Sequence, residues 1–169
     1  VLNQDTIPSW LYEVRKGATS VWETWDCVKA DGKLRKGMSF NHYAFGALGE
    51  WLYRYIAGIG MDKENPGYKH IIFSPHPGDG LTEAQAVHQS PYGEIKSSWK
   101  LSEGKMTYSI TVPANSTATV HLPRAKIDEI SENNQPLRNA EGVLKSGQEI
   151  GTVILQIGSG SYEFSYKYI

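Results

Sequence analysis

A chain of 169 residues with 17 basic and 18 acidic side chains has a formal charge of −1. Because runs of phosphate are neutralised by clustered Lys and Arg, this balance argues against a nucleic-acid partner. The longest largely apolar stretch, residues 40–60, is interrupted by charged and amide side chains, which argues against a membrane span. Cys27 is the only cysteine, so we predict neither an intrachain disulfide nor a thiolate metal cluster.

The first third of the sequence has helical periodicity. From Phe40 to Ile56 apolar residues recur at steps of three and four, so they share one helix face. Ser39 is placed to cap this helix, and the run Gly58-Ile59-Gly60 is placed to end it. A shorter helix is predicted from Pro8 to Lys16, closed by Gly17, and the residues between the two helices form a long connection.

The rest of the sequence alternates in the manner of β-strands. Apolar and polar residues alternate from Met106 to Val112 and again from Ala118 to Leu122, the period of strands with one buried face. Turn residues occupy positions 113–116 between these runs, so we predict a hairpin. Further strands are predicted at Lys69–Phe73, Glu83–His88, Glu94–Leu101, Val153–Ile157 and Tyr162–Tyr168.

These elements predict an α+β chain in two parts. We place the boundary near residue 61, with helices in residues 1–60 and strands in residues 61–169. Turn signals recur often between the short strands, which is typical of an antiparallel β-sandwich.

The connection between the two helices contains the most unusual run of the sequence, GATSVWETWD at Gly17–Asp26. It places Glu23 between Trp22 and Trp25. Aromatic faces pack on the C–H faces of a sugar ring, and a carboxylate beside them can accept a proton from water or a hydroxyl. The run therefore suits a sugar site. The alternative is that both indoles are core residues and that Glu23 is exposed or ion-paired.

His42 is the second candidate. We expect it near the N-terminus of the long helix, on a different face from Leu48 and Trp51, where its ring could donate to a ligand hydroxyl. The alternative is a helix-end histidine bonded to the backbone. The other histidines lack the spacing and carboxylate neighbours of a metal site, and no cofactor motif is present. We therefore predict neither a metal nor a cofactor.

Two motifs together carry a resemblance to a known family. The run GATSVWETWD and the run MSFNHYAFGALGEWLYRYIAGI, Met38–Ile59, resemble the end of the catalytic (α/α)6, or six-hairpin, barrel of glycoside hydrolase family 78, the α-L-rhamnosidases. Segments at Gln89–Gly93, Val112–Ala118 and Gly158–Tyr162 are similar to the family's C-terminal β-sandwich. The resemblance covers essentially the whole chain and implies the last barrel helices followed by a sandwich.

The resemblance implies an inverting glycosidase that removes terminal L-rhamnose from glycosides. Glu23 matches the general base that activates water, and His42 matches a histidine that contacts the rhamnose. Trp22 and Trp25 are expected to shape the pocket. Thr24 stands where the family often has arginine. The resemblance also implies a periplasmic or secreted setting in a bacterium.

The sequence lacks the motifs that carry the family's general acid and most of its sugar-binding residues. We therefore expect an excised C-terminal piece that is inactive alone and needs the remainder of the barrel. Helix faces that meet absent neighbours would be exposed, so Trp10, Phe45 and Trp51 are expected to form an apolar patch or to pair with another copy.

Two other functions are compatible with the sequence. A carbohydrate-binding sandwich would present a row of exposed aromatics, which Tyr92, Trp99 and the tyrosines of the last strand could supply. The simpler explanation of that last strand is a core face. A purely structural module would bind no sugar at all.

Overall fold

The computed structural model describes residues 4–78 and 80–168, and by its contacts the chain divides into two compact units, Val1–Gly49 and Glu50–Ile169. In the described part of the chain no helix combines the length and apolar character needed to cross a bilayer. The helices are α1 (Trp10–Arg15), a 3₁₀ segment (Ala44–Ala47), α2 (Leu48–Trp51), a π-helical segment (Leu52–Ile56) and two further 3₁₀ turns (Ile127–Glu129 and Leu137–Asn139). The strands are β1 (Ile59–Met61), β2 (His70–Phe73), β3 (Glu83–Ser90), β4 (Gly93–Ser102), β5 (Lys105–Val112), β6 (Thr117–Pro123), β7 (Ser131–Glu132), β8 (Gln135–Pro136), β9 (Val143–Glu149), β10 (Thr152–Ile157) and β11 (Gly160–Lys167).

The short helix forms where the sequence predicts it, with a later start. Ser9 is its N-cap, and the Ser9 hydroxyl accepts from the backbone N–H of Leu11 at 3.1 Å. Pro8 therefore precedes the cap and is not in the first turn. Gly17 follows the last helical turn at φ 85°, a left-handed conformation that glycine adopts without steric cost.

The long helix begins at Ala44, and the predicted cap at Ser39 is wrong. The Ser39 hydroxyl donates to the carbonyl of Asn41 and accepts from its N–H, at 2.9 and 3.2 Å. The backbone N–H of His42 donates to the carbonyl of Val21 at 2.8 Å. The structure nevertheless leaves residues 39–43 outside the helix, and Tyr43 occupies the N-cap position of the 3₁₀ segment. His42 consequently lies before the helix.

The second unit is a β-sandwich, as predicted. A five-stranded sheet has the order β1-β2-β6-β10-β9, and a six-stranded sheet has the order β3-β4-β5-β11-β7-β8. The strand pairs are antiparallel except β2 with β6, which are parallel. Inward side chains of both sheets form one core that includes Ile71, Phe73, Ile95, Tyr108, Val120, Val153, Leu155 and Phe164.

The predicted hairpin of β5 and β6 is wrong. β5 pairs with β4 and β11, whereas β6 pairs with β2 and β10, so the turn at residues 113–116 carries the chain from one sheet to the other. Apolar and polar residues alternate in both strands because each strand turns one face to the shared core, β5 from one sheet and β6 from the other. Alternation identifies a half-buried strand but contains no information about its sheet.

Two side chains of strand β4 cap the C-terminal end of the long helix by hydrogen bonds. The indole Nε1 of Trp99 donates to the carbonyl of Ile56 at 2.7 Å, and the Ser97 hydroxyl donates to the carbonyl of Ala57. The last carbonyls of a helix have no partner within the helix, so these two side chains satisfy groups that would otherwise be buried unpaired. Gly58 then ends the helix at φ 80°, as predicted, against the backbone of Ser74 and Pro75.

Candidate active site

The connection that carries Glu23 lies beside the segment that precedes the long helix. The backbone N–H of Glu23 donates to the carbonyl of Ser39 at 3.0 Å. His42 donates to Val21, and the Ser20 hydroxyl donates to the carbonyl of Phe40 at 2.6 Å. Two stretches far apart in sequence are thus joined by main-chain hydrogen bonds, and both predicted polar site residues lie on them.

The carboxylate of Glu23 is half-buried and oriented. Its Oε2 accepts from the backbone N–H of Ser39 at 2.7 Å, a short charge-assisted bond. Among the described residues, Glu23 has no ion pair, and its Oε1 receives no hydrogen bond. One oxygen is therefore fixed by the protein while the other is available to a further donor.

The two indoles have different surroundings. Trp22 is 3% exposed and forms a small core with Tyr12 and Cys27, with an edge-to-face contact to Phe40 at 5.5 Å. Trp22 thus has the position of a core residue, as the alternative interpretation holds, and its part in substrate binding stays a prediction.

Trp25 is half-buried in an aromatic cluster that belongs to the first unit. Its ring stacks on Phe45 with ring centroids 4.2 Å apart and makes a T-shaped contact with Trp10 at 4.7 Å. Phe45 and Trp10 are themselves partly buried by these contacts. Of the two indoles, the one after Glu23 in the sequence is therefore the partly exposed one.

Asp26, the second carboxylate of the run, is ion-paired. Arg35 Nη1 donates to Asp26 Oδ1 at 2.6 Å. The hydrogen bond from the Arg35 guanidinium keeps the pKa of Asp26 below its ordinary value. A carboxylate held as an anion in this way suits an ion pair and not a proton donor.

His42 is half-buried, and its imidazole stacks on the ring of Tyr43 at 5.1 Å. Its backbone is fixed by the bond to Val21 described above. His42 and Ser39 lie on the same short segment, so the main chain that holds the Glu23 carboxylate also carries His42.

Sequence reasoning missed two residues of this region. Glu13 is 3% exposed on the inner face of α1, and its Oε2 accepts from the N–H of Trp22 at 3.4 Å. Ser39 holds Glu23 and does not cap a helix. The acid on the buried face of α1 could have indicated Glu13, but no local pattern indicates Ser39 because its partner is far away in sequence. No group of three or more His, Cys, Asp or Glu side chains in residues 4–78 and 80–168 could hold a metal ion.

Comparison with known families found a match for each of two stretches of the chain. Residues 1–56 match the model of the bacterial α-L-rhamnosidase 6 hairpin glycosidase domain, and residues 58–136 match that of the bacterial α-L-rhamnosidase C-terminal domain. The fold and these two matches place the chain in the class of glycosidases. The chain belongs to the bacterial α-L-rhamnosidase family.

Individual relatives match along nearly the whole chain. An α-L-rhamnosidase of Streptomyces avermitilis is 35% identical over 167 residues, which is 98% of this chain, and one of Formosa agariphila is 36% identical over 170 residues, or 99% of it. The chain spans only 15% and 18% of the lengths of these relatives.

Solved structures give the same result. The S. avermitilis α-L-rhamnosidase complexed with L-rhamnose is 35% identical with a TM-score of 0.81, and the match covers 98% of this chain and 15% of that one. The α-L-rhamnosidase of Dictyoglumus thermophilum is 32% identical with a TM-score of 0.78, covering 98% and 18%.

Proposed function

We propose that this chain is the C-terminal part of an inverting α-L-rhamnosidase and that Glu23 is the general base of that enzyme. The observation that supports this most directly is the Glu23 carboxylate, held by Ser39 N–H through one oxygen while the other receives no hydrogen bond from the described residues. The substrate class follows from the relatives, which are named α-L-rhamnosidases, one of them complexed with L-rhamnose.

In an inverting hydrolase one carboxyl group protonates the leaving oxygen while the other takes a proton from water on the opposite face of the sugar, at a separation of about 6.5–9.5 Å. Glu23 would take the proton through its open oxygen. His42 would donate to a rhamnose hydroxyl from the adjoining segment. Trp25 would offer a partly exposed indole, and Trp22 would support the connection from the core.

Neither of the two acids that adjoin the Glu23 connection suits the role of the matching acid. Asp26 is held as an anion by Arg35, and Glu13 is buried behind Trp22. Because each proton-transfer group contributes about 10²- to 10⁴-fold to the rate, a base without its acid loses most of the catalysis. We therefore expect this chain to be silent by itself and the longer protein to supply the acid and the other sugar contacts.

Hydrolysis of an aryl α-L-rhamnoside tests the proposal. The assay compares this chain with the longer protein that includes the upstream barrel, each with and without Glu23→Gln. We expect activity only in the longer protein and a loss of about 10²- to 10⁴-fold in kcat with Glu23→Gln. The amide oxygen of glutamine still accepts from Ser39 N–H, so the substitution removes the base and preserves the fold.

A matched control is Glu103→Gln, since Glu103 is exposed in the turn after β4. It should leave kcat unchanged. Rhamnoside hydrolysis by this chain alone, or full activity of Glu23→Gln in the longer protein, would contradict the proposal. Product stereochemistry read by NMR tests the inverting step separately.

We further propose that the remainder of the barrel covers the exposed aromatics of the helical segments. Trp51 is 44% exposed, and Tyr43 is the most exposed aromatic before it. When the remainder of the barrel is absent, these exposed side chains favour self-association of the chain. Sedimentation of this chain should show a concentration-dependent dimer that Trp51→Glu weakens, and a strictly monomeric chain would count against this expectation.

The rival function, a carbohydrate-binding sandwich, predicts a row of solvent-facing aromatics. Trp99 is 1% exposed, and Tyr162 and Tyr166 of β11 are buried in the core. Tyr92 is exposed and carries Lys69 over its ring at 5.0 Å, so it does not present an open face on that side. L-rhamnose binding by residues 61–169 alone, measured by calorimetry, would favour the rival.

A further inference from the structure

Glu13 is a buried acid whose side chain the packing of α1 does not explain. It lies on a helix of six residues, it is 3% exposed, and its Oε1 has no hydrogen-bond partner in the described part of the chain. A buried carboxyl oxygen without a hydrogen bond destabilises a fold, so packing alone does not account for this residue. Burial raises the pKa of Glu13, and the N–H of Trp22 opposes this shift.

The remaining Glu13 oxygen bonds to the main chain that carries Glu23. Oε2 accepts from Trp22 N–H at 3.4 Å, one residue before Glu23. On either side of that amide, the carbonyl of Val21 and the N–H of Glu23 bond to the segment at residues 39–42. The connection is thus held on one side by that segment and on the other by Glu13.

We propose that Glu13 is a positioning residue, whose side-chain oxygen fixes the backbone at Trp22 and through it the direction of the Glu23 carboxylate. The inference rests on the proposed role of Glu23 as the general base. Because a displacement of about 1 Å at a reacting group can cost about 10²-fold in rate, a second anchor beside Ser39 has a catalytic consequence.

The experiment uses the longer protein that includes this chain, with an aryl α-L-rhamnoside as substrate. Glu13→Gln keeps an oxygen acceptor of the same length, so kcat should stay near that of the parent. Glu13→Met has a similar size but no acceptor, and kcat should fall by about 10- to 10²-fold with KM nearly unchanged. Equal losses in Glu13→Gln and Glu13→Met would contradict a role as acceptor.

The decisive measurement is the double variant. If Glu13 acts through Glu23, adding Glu13→Met to Glu23→Gln should cause no further loss in kcat, since the group that it positions is already gone. Additive losses would show that Glu13 only supports the fold and would overturn the proposal. Failure of the proposed function appears separately, as an active Glu23→Gln single variant.

Two further variants keep the test independent of folding. If Glu13→Met does not fold, Glu13→Asp withdraws the carboxyl group by one methylene, and the same cycle with Glu23→Gln applies. Glu132→Met is the matched control, because Glu132 is also a buried glutamate but lies on β7 of the sandwich. It should lower thermal stability without changing kcat of the folded protein, whereas a kcat loss equal to that of Glu13→Met would count against a specific role for Glu13.

Discussion

Ser39 and Glu23 hold each other by two hydrogen bonds. Ser39 N–H donates to Glu23 Oε2 at 2.7 Å, and the Ser39 carbonyl accepts from Glu23 N–H at 3.0 Å. The two bonds orient the Glu23 carboxylate on an irregular connection. They hold it in place where no helix or strand fixes the backbone. The same fixed backbone continues to His42, which is why the site depends on the segment before the long helix.

The indole of Trp99 is predicted to be a structural hydrogen-bond donor. Trp99→Phe removes the hydrogen bond to the carbonyl of Ile56, and this carbonyl stays buried without a donor. The free energy of unfolding should therefore fall by about 1–3 kcal/mol. Urea denaturation followed by far-UV circular dichroism measures this. Trp51→Phe, at an exposed indole, should change stability by no more than about 0.5 kcal/mol. Equal effects at both positions would refute the special role of Trp99.

Replacing Gly58 is predicted to destabilise the fold for two reasons, its positive φ and its close contact with neighbouring backbone. Gly67, which shares only the positive φ, allows the two contributions to be measured separately. Both Gly58 and Gly67 have positive φ, at 80° and 84°, but only a Cβ at Gly58 would meet the backbone of Ser74 and Pro75. Gly67→Ala should cost about 1–2 kcal/mol for the left-handed conformation alone. Gly58→Ala should cost at least about 1–3 kcal/mol more, because rigid backbone must move. Denaturation midpoints of the two variants compare them directly.

Glu132 is predicted to make stability depend on pH. Burial raises its pKa in the folded protein, against the opposing hydrogen bonds from Glu163 and Asn133. Between the unfolded and the folded pKa the native state binds more protons, so this residue contributes stability at low pH that is lost as pH rises through its folded pKa. Glu132→Gln should remove that part of the dependence, measured as thermal midpoints at several pH values. An unchanged profile would speak against the raised pKa.

Cys27 is predicted to be unreactive in the native chain. It is fully buried, and its Sγ lies 3.6 Å from the carbonyl of Ser39, which fixes Glu23. A thiol reagent such as dithionitrobenzoate should therefore react slowly with the folded chain and completely in guanidinium. Since Cys27 is the single cysteine, the signal is unambiguous. Rapid native labelling would show that the core around Trp22 opens readily.

The sequence by itself determined the two-part α+β plan, the approximate strands and the family. Each of these depends on short-range periodicity or on motif residues such as GATSVWETWD, which are visible without three-dimensional contacts. The domain boundary near residue 61, the roles of Glu23 and His42 and the setting in the cell stay predictions.

Only the tertiary structure decided which elements meet. Alternation in β5 and β6 is the same whether they form a hairpin or face each other across a core, so the crossing between sheets could not be read from it. The segment before Ala44 is joined to the connection by hydrogen bonds from Ser39 and His42, and the buried indole of Trp99 has its acceptor at the carbonyl of Ile56. Local patterns determine which residues are apolar or extended, but the partner of each backbone group is fixed only when distant segments pack together.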